Sequence, residues 1–135
     1  ILVADPVTRV CAAIHAGWKG TVARIVEKTA KRMIENRGSN PADLLVYIGP
    51  CISFAHFEVG DEVAAQFDQA FKTRKGAKWH VDLKAANEAQ LRALGIQQIE
   101  IDPACTVEKN ADFFSHRTEK GVTGRMLALI GFQVS

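Results

Sequence analysis

The stretch CAAIHAGWKGTVARIVEKT, residues 11–29, passes from an apolar run through a Gly-Trp-Lys-Gly turn into a helical pattern. The run up to Ile14 reads as the end of a strand, and Gly17 and Gly20 let the backbone turn sharply after it. Beyond Gly20 the apolar residues Val22, Ile25, Val26, Ala30, Met33 and Ile34 recur at steps of three and four. Arg24, Glu27, Lys28, Lys31, Arg32 and Glu35 fall on the opposite face, so the spacing predicts one amphipathic helix ending near Gly38. A strand feeding a helix through a glycine turn is an α/β junction, and it leaves His15 at the turn. An isolated imidazole beside apolar residues is ordinarily packed; beside glycines that admit a ligand close to the backbone, it stands at the mouth of a site. Both readings remain open on spacing alone. Trp18 reads as a core plug.

Outward from this junction, Ile1 to Ala4 and Val7 to Ile14 form two short strands joined at Asp5-Pro6, where proline fixes φ and aspartate bonds its own backbone. Downstream, Asn40-Pro41 caps and begins a short turn, and Leu44 to Ile48 is a compact strand stopped by Gly49-Pro50. A helix is predicted from Asp61 to Phe71, with Val63, Ala64, Phe67 and Phe71 on one face and Asp61 near its positive end. Lys72 to Lys78 reads as a solvated basic loop, and Asp82 to Leu94 as a third helix closed by Gly95. Strand Gln98 to Ile101, a loop from Asp102 to Asn110, a Phe113-Phe114 segment anchored in the core and a last strand Arg125 to Val134 complete the chain. Strands alternating with helices, some joined by tight turns, imply an α/β fold with mixed sheets in a layered sandwich and flanking helices.

The bulk properties fit one domain spanning residues 1–135: 47% hydrophobic residues and 24% charged ones describe a globular chain with a real core. A net charge of +2, with both signs interleaved, gives no footprint for nucleic acid or an anionic membrane. Cys11, Cys51 and Cys105 are odd in number and widely spaced, with no secretory signal, which points to the reducing cytoplasm. The chain opens ILVADPVTRV, already inside a strand pattern, and the expectation is a fragment whose upstream part is missing.

Besides His15, three places hold reactive side chains. Cys51 and His56 are five apart after the Gly49-Pro50 stop, without the doubled spacing of a zinc site. Cys105-Thr106 and Ser115-His116-Arg117 lie in one loop-rich segment, giving a thiol, an imidazole and a guanidinium suited to bidentate phosphate binding. No P-loop, dinucleotide fingerprint, HExxH or nucleophile elbow occurs.

Taken in order, HAGWKG at 15–20, IGPCI at 48–52, FEVGDEV at 57–63, CT at 105–106, FFSHR at 113–117 and TGRM at 123–126 resemble the YfiH-like family, also called the multicopper polyphenol oxidase (laccase) domain family. Its members are described as zinc-dependent purine nucleoside phosphorylases and adenosine deaminases. The resemblance implies that His15 is a metal ligand and that the metal is zinc, with copper as the alternative. It also implies a purine nucleoside and phosphate as partners. The family's other two ligands, in QVHG-type and ADCLP-type motifs, lie upstream of the opening strand, and neither motif occurs here. The chain is therefore expected to be the C-terminal portion of a laccase domain, its site completed by upstream chain. By charge and motif position, Arg117, with Lys19 or Arg125, is the candidate phosphate clamp, and His116 the candidate acid/base or phosphate-orienting group. Polyphenol oxidation with copper, amidase-like editing of cell-wall precursors, and an inert half-domain or interaction module are the competing functions.

Overall fold

The computed structural model describes residues 1–133. They fall into two compact units, the first made of Ile1–Gly49, Asn87–Asp102 and the described residues from Ala128, the second of Pro50–Ala86 and Pro103–Leu127. The architecture is mixed α/β, with two separate sheets and flanking helices.

The first unit is built on strands β1 (Leu2–Asp5), β2 (Val10–Ala13), β3 (Leu45–Ile48) and β7 (Gln98–Ile101), in the order β2-β1-β3-β7. The expected hairpin is present: β1 pairs antiparallel with β2 from Leu2↔Ala13 to Asp5↔Val10. Its turn is longer than the Asp5-Pro6 step alone, because the Asp5 carboxylate accepts from the N–H of Val7 at 2.9 Å and of Thr8 at 3.1 Å. β3 pairs antiparallel with β1 and parallel with β7, so this sheet is mixed. Val3, Val46 and Ile48 point inward against Val26, Ala30 and Met33 of helix α2 (Ile25–Arg37) and against Leu44, Leu91 and Ile96. Each such aliphatic side chain removed from water contributes roughly 1.5–3 kcal/mol before the entropy of ordering it is counted.

The helix predicted from Val22 is broken. Helix α1 covers Trp18–Val22, and α2 starts only at Ile25 after Arg24 takes a left-handed φ of 57°. Thr21 is the cause. Its hydroxyl bonds back to the carbonyl of Gly17 at 3.0 Å, while its own carbonyl receives the N–H of Arg24 at 3.0 Å and the Gln90 amide at 2.9 Å. Such local bonding competes with the regular ladder and bends it. Downstream boundaries follow expectation: Asn40 caps a 3-10 turn over Pro41–Asp43 by accepting from Ala42 N–H at 3.0 Å, and Gly38 and Gly95 have positive φ.

The second unit holds an antiparallel sheet ordered β4-β6-β5, from β4 (Glu58–Val59), β5 (Lys72–Lys75) and β6 (Lys78–Val81). Phe57, Val59, Phe67, Val81 and Leu83 are buried. The predicted helix from Asp61 to Phe71 is only α3 (Asp61–Ala64) plus a 3-10 turn over Gln69–Phe71. Beyond Ala65 the N–H groups of Gln66 and Phe67 reach three residues back, to Val63 and Ala64, and the Lys72 ammonium takes the Ala64 carbonyl at 2.7 Å. The predicted basic loop is a β-hairpin. It turns at Gly76, whose φ is +60°, and Lys72 and Arg74 lie 5.5 and 5.7 Å from the Trp79 ring, which gives those cations an aromatic face to rest on. Helix α4 (Leu83–Arg92) begins beyond Asp82, whose carboxylate accepts from Ala85 N–H at 2.9 Å. Its first turn belongs to the second unit and its remainder to the first.

The predicted last strand is absent: Arg125–Gln133 form no ladder, and Val134 lies outside the described residues. Carbonyls there meet side-chain donors instead, Gln133 receiving Arg9 at 2.5 Å and Ile130 the Cys11 thiol at 3.7 Å.

Candidate functional site

The end of β2 puts the HAGWKG histidine at the surface. Ile14 is buried and exchanges two hydrogen bonds with Ile1, each 2.8 Å, while His15, the next residue, is exposed. Gly17 and Gly20 supply the closeness expected of them. A Cβ at residue 17 would stand 3.5 Å from His15 Nε2, and one at residue 20 would stand 3.3 Å from the His15 carbonyl and 3.2 Å from Ile25. Lys19 is exposed, with its ammonium 5.6 Å from the ring of Trp18, which is half-buried rather than a sealed plug.

The FFSHR loop lies in the second unit, and a carboxylate that sequence reading passed over organises it. Glu119 accepts from Ser115 N–H at 2.7 Å, the Thr123 hydroxyl at 2.7 Å and the Asn110 amide at 3.2 Å. The Thr123 hydroxyl foremost, then the Ser115 N–H, favour its charged form and hold its carboxyl below the ordinary carboxylate range. Pinned this way, the loop leaves His116 and Arg117 exposed. Arg117 donates to the carbonyls of His56 at 3.4 Å and Glu58 at 3.1 Å and lies 5.7 Å from the Phe57 ring. Arg125 donates to its neighbours, the carbonyls of Thr123 and Gly124, at 3.1 and 3.0 Å. Phe114 is not a core anchor: it is half exposed, and its ring covers Gly124 so closely that a Cβ there would lie 2.5 Å from it.

The two cysteines of this unit differ. The backbones of Cys51 and Cys105 pair in an isolated parallel β-bridge, their thiols staying free, and Thr106 N–H donates to the Cys51 carbonyl at 3.2 Å. Burial pushes the Cys51 thiol up. Burial acts the same way on Cys105, but backbone N–H groups around the sulfur, that of Ser53 donating at 3.3 Å, outweigh it and bring that thiol down to about 7. The structure groups Cys105 with His56 and Glu108, one ligand atom from each lying within 4.8 Å of the others, rather than with His116. Cys51 stays outside that group. A signal existed in the sequence, since Cys105 and Glu108 share one tight turn, closed by Lys109 N–H on the Cys105 carbonyl at 2.9 Å. Pairing that turn with the His56 loop required the Cys51–Cys105 bridge, which spacing does not show.

A zinc at His15 needs more than the described chain provides. Catalytic zinc takes three protein ligands and a water. Among the described residues the one grouping of three His, Cys, Asp or Glu ligand atoms does not include His15.

Residues 1–133 match the family described as multi-copper polyphenol oxidoreductase laccase. The chain is 42% identical over 135 residues to a purine nucleoside phosphorylase of Deinococcus radiodurans, covering 97% of this chain and 52% of that protein. It is 38% identical over 138 residues to the purine nucleoside phosphorylase YlmD of Bacillus subtilis, covering 96% and 50%. Among solved structures, YlmD from Geobacillus stearothermophilus superposes with a TM-score of 0.84 at 29% identity, covering 91% of this chain and 49% of that one. The Bacillus licheniformis protein YfiH gives 0.79 at 33%, covering 89% and 49%. The chain thus spans about half the length of the relatives it matches. With a match that runs from its first residue to Gln133, and a fold shared with YfiH and YlmD, this chain belongs to the multi-copper polyphenol oxidoreductase laccase family.

Proposed function

We propose that this chain is the C-terminal portion of a laccase domain and contributes to the active site of a purine nucleoside phosphorylase with adenosine deaminase activity. The observation that carries the reading is the 42% identity, over nearly the whole chain, to a relative of that name. Phosphorolysis exchanges the bond between ribose C1′ and the purine for a bond from C1′ to a phosphate oxygen, and the purine leaves with the electron pair and takes up a proton. Arg117 holds the phosphate: two of its N–H groups rest on carbonyls, which fixes the plane of the guanidinium, and the others remain for the anion. Lys19 and Arg125 are the further candidates for anion contact, by charge and motif position. His116 orients the phosphate or delivers the proton to the leaving base. His15 is a ligand of zinc, with copper as the alternative, shared with upstream chain. A cytoplasmic setting belongs to the same reading and is supported by three free thiols; no described helix is long and apolar enough to cross a membrane.

The test incubates this chain, and separately the longer protein, with adenosine in the presence and absence of phosphate, and follows adenine, inosine and hypoxanthine by chromatography. Phosphate-dependent release of adenine, together with phosphate-independent inosine, is expected from the longer protein and neither from this chain alone. Base release from the longer protein that ignores phosphate overturns the phosphorylase reading, and the absence of inosine overturns the deaminase reading.

A further inference from the structure

His56, Cys105 and Glu108 lie outside the machinery assigned above, and all three belong to the second unit. Their ligand atoms fall within 4.8 Å of one another, and His56 Nε2 stands 3.0 Å from Glu108 Oε1. On one tetrahedral zinc, with bonds of about 2.0–2.3 Å, two ligand atoms sit about 3.2–3.8 Å apart. The widest separation therefore has to close by roughly 1 Å, a movement that side-chain rotation supplies. The three residues divide that task unequally. Cys105 is 2% exposed and its backbone pairs with that of Cys51, whereas the His56 and Glu108 side chains, paired with each other, are 38% and 57% exposed and have room to turn onto an ion.

The plainer reading is an exposed His–Glu pair worth at most about 1 kcal/mol beside a core thiol. Against it stands the environment of the sulfur. Ser53 N–H donates to Cys105 Sγ at 3.3 Å, so the sulfur already acts as an acceptor, the role of a thiolate. One thiolate, one imidazole and one carboxylate are also a chemically selective set: sulfur and nitrogen discriminate against magnesium and calcium and suit a borderline cation such as zinc.

We propose that His56, Cys105 and Glu108 form a binding site for one borderline divalent cation, zinc being the natural occupant, built from different residues than the metal centre proposed at His15. Cys105 binds as the thiolate and releases its proton to solvent, and the exposed side of the ion keeps a water. The site ties the His56 loop to the Cys105–Glu108 turn. Because the His56 carbonyl receives the Arg117 guanidinium, the ion also steadies the peptide on which that cation rests.

Cobalt tests this directly, since a cobalt–thiolate bond gives a near-ultraviolet charge-transfer band that a histidine-only site lacks. The metal-free, reduced chain is titrated with Co²⁺ and the band is then chased with Zn²⁺. One equivalent of cobalt should develop the band, and zinc should abolish it. Cys105→Ser should show no band, while Glu108→Gln and His56→Gln, surface changes that leave the core intact, should each weaken binding by ~10-fold or more. His15→Ala, Cys11→Ser and Cys51→Ser should titrate like the parent chain. The proposal is overturned if no band forms, if the band survives Cys105→Ser, if it is lost in His15→Ala or Cys51→Ser, or if Glu108→Gln and His56→Gln bind as tightly as the parent. No nucleoside turnover enters the readout, so the result stands apart from the fate of the phosphorylase reading.

Discussion

Asp5 is fully buried, yet it stays more acidic than an ordinary aspartate. Burial pushes its carboxyl up, but hydrogen bonds from the Ser39 and Thr8 hydroxyls and from the N–H groups of Thr8 and Val7 together outweigh that. A carboxyl more acidic folded than unfolded adds stability above its unfolded value, 3.8, and that stability fades as pH falls through the depressed folded value. Asp5→Asn should therefore cost about 2 kcal/mol at neutral pH and little in acid. Urea unfolding at the two pH values checks it. Glu119 makes a different expectation: its three bonds gather the FFSHR loop, so Glu119→Ala should speed amide exchange at Ser115 while β1 and β3 keep their protection. Hydrogen exchange read by mass spectrometry decides between local loosening and general unfolding.

The break at Arg24 is testable by sign. In a continuous helix Arg24→Gly would cost about 1 kcal/mol. At a φ of 57° glycine instead relieves a left-handed strain of roughly 1–2 kcal/mol, against which stands the loss of an exposed ion pair to Glu27 worth a few tenths, about 0.3–0.5 kcal/mol. Arg24→Gly should leave the melting temperature unchanged or raised. Elements held together by contacts near in sequence were legible: the Asp5 hairpin, the Asn40 cap, the Gly95 stop and strand Gln98–Ile101 stand where periodicity and turn chemistry put them. Elements decided by a distant partner were not. Thr21 breaks a helix because Asn87 and Gln90 engage it from α4, and the basic residues of β5 look like a loop until the Trp79 ring is seen beside Lys72 and Arg74.

For the whole molecule, the same division applies to the site. The glycines beside His15 made exposure one of two open readings, and the structure shows it exposed, whereas the partnership of His56 with Cys105 and Glu108 depended on a backbone pairing that no local pattern announces. Val122, Leu127 and Leu129 are 89%, 81% and 77% exposed, each an apolar side chain left in water. Replacing Leu127 and Leu129 by glutamate should reduce self-association of this chain without lowering its melting temperature, as light scattering and circular dichroism would show.

The parallel partnership of Leu45 with Gln98 has a consequence for synthesis. As the chain leaves the ribosome, the β1–β2 hairpin and β3 emerge well before β7, the strand that pairs with β3 on its other side. During that interval the outer rim of β3 offers bare amides to any passing extended peptide, a state in which nascent chains aggregate or recruit chaperones. The last stretch to join the sheet thus sets how long the newborn protein stays vulnerable.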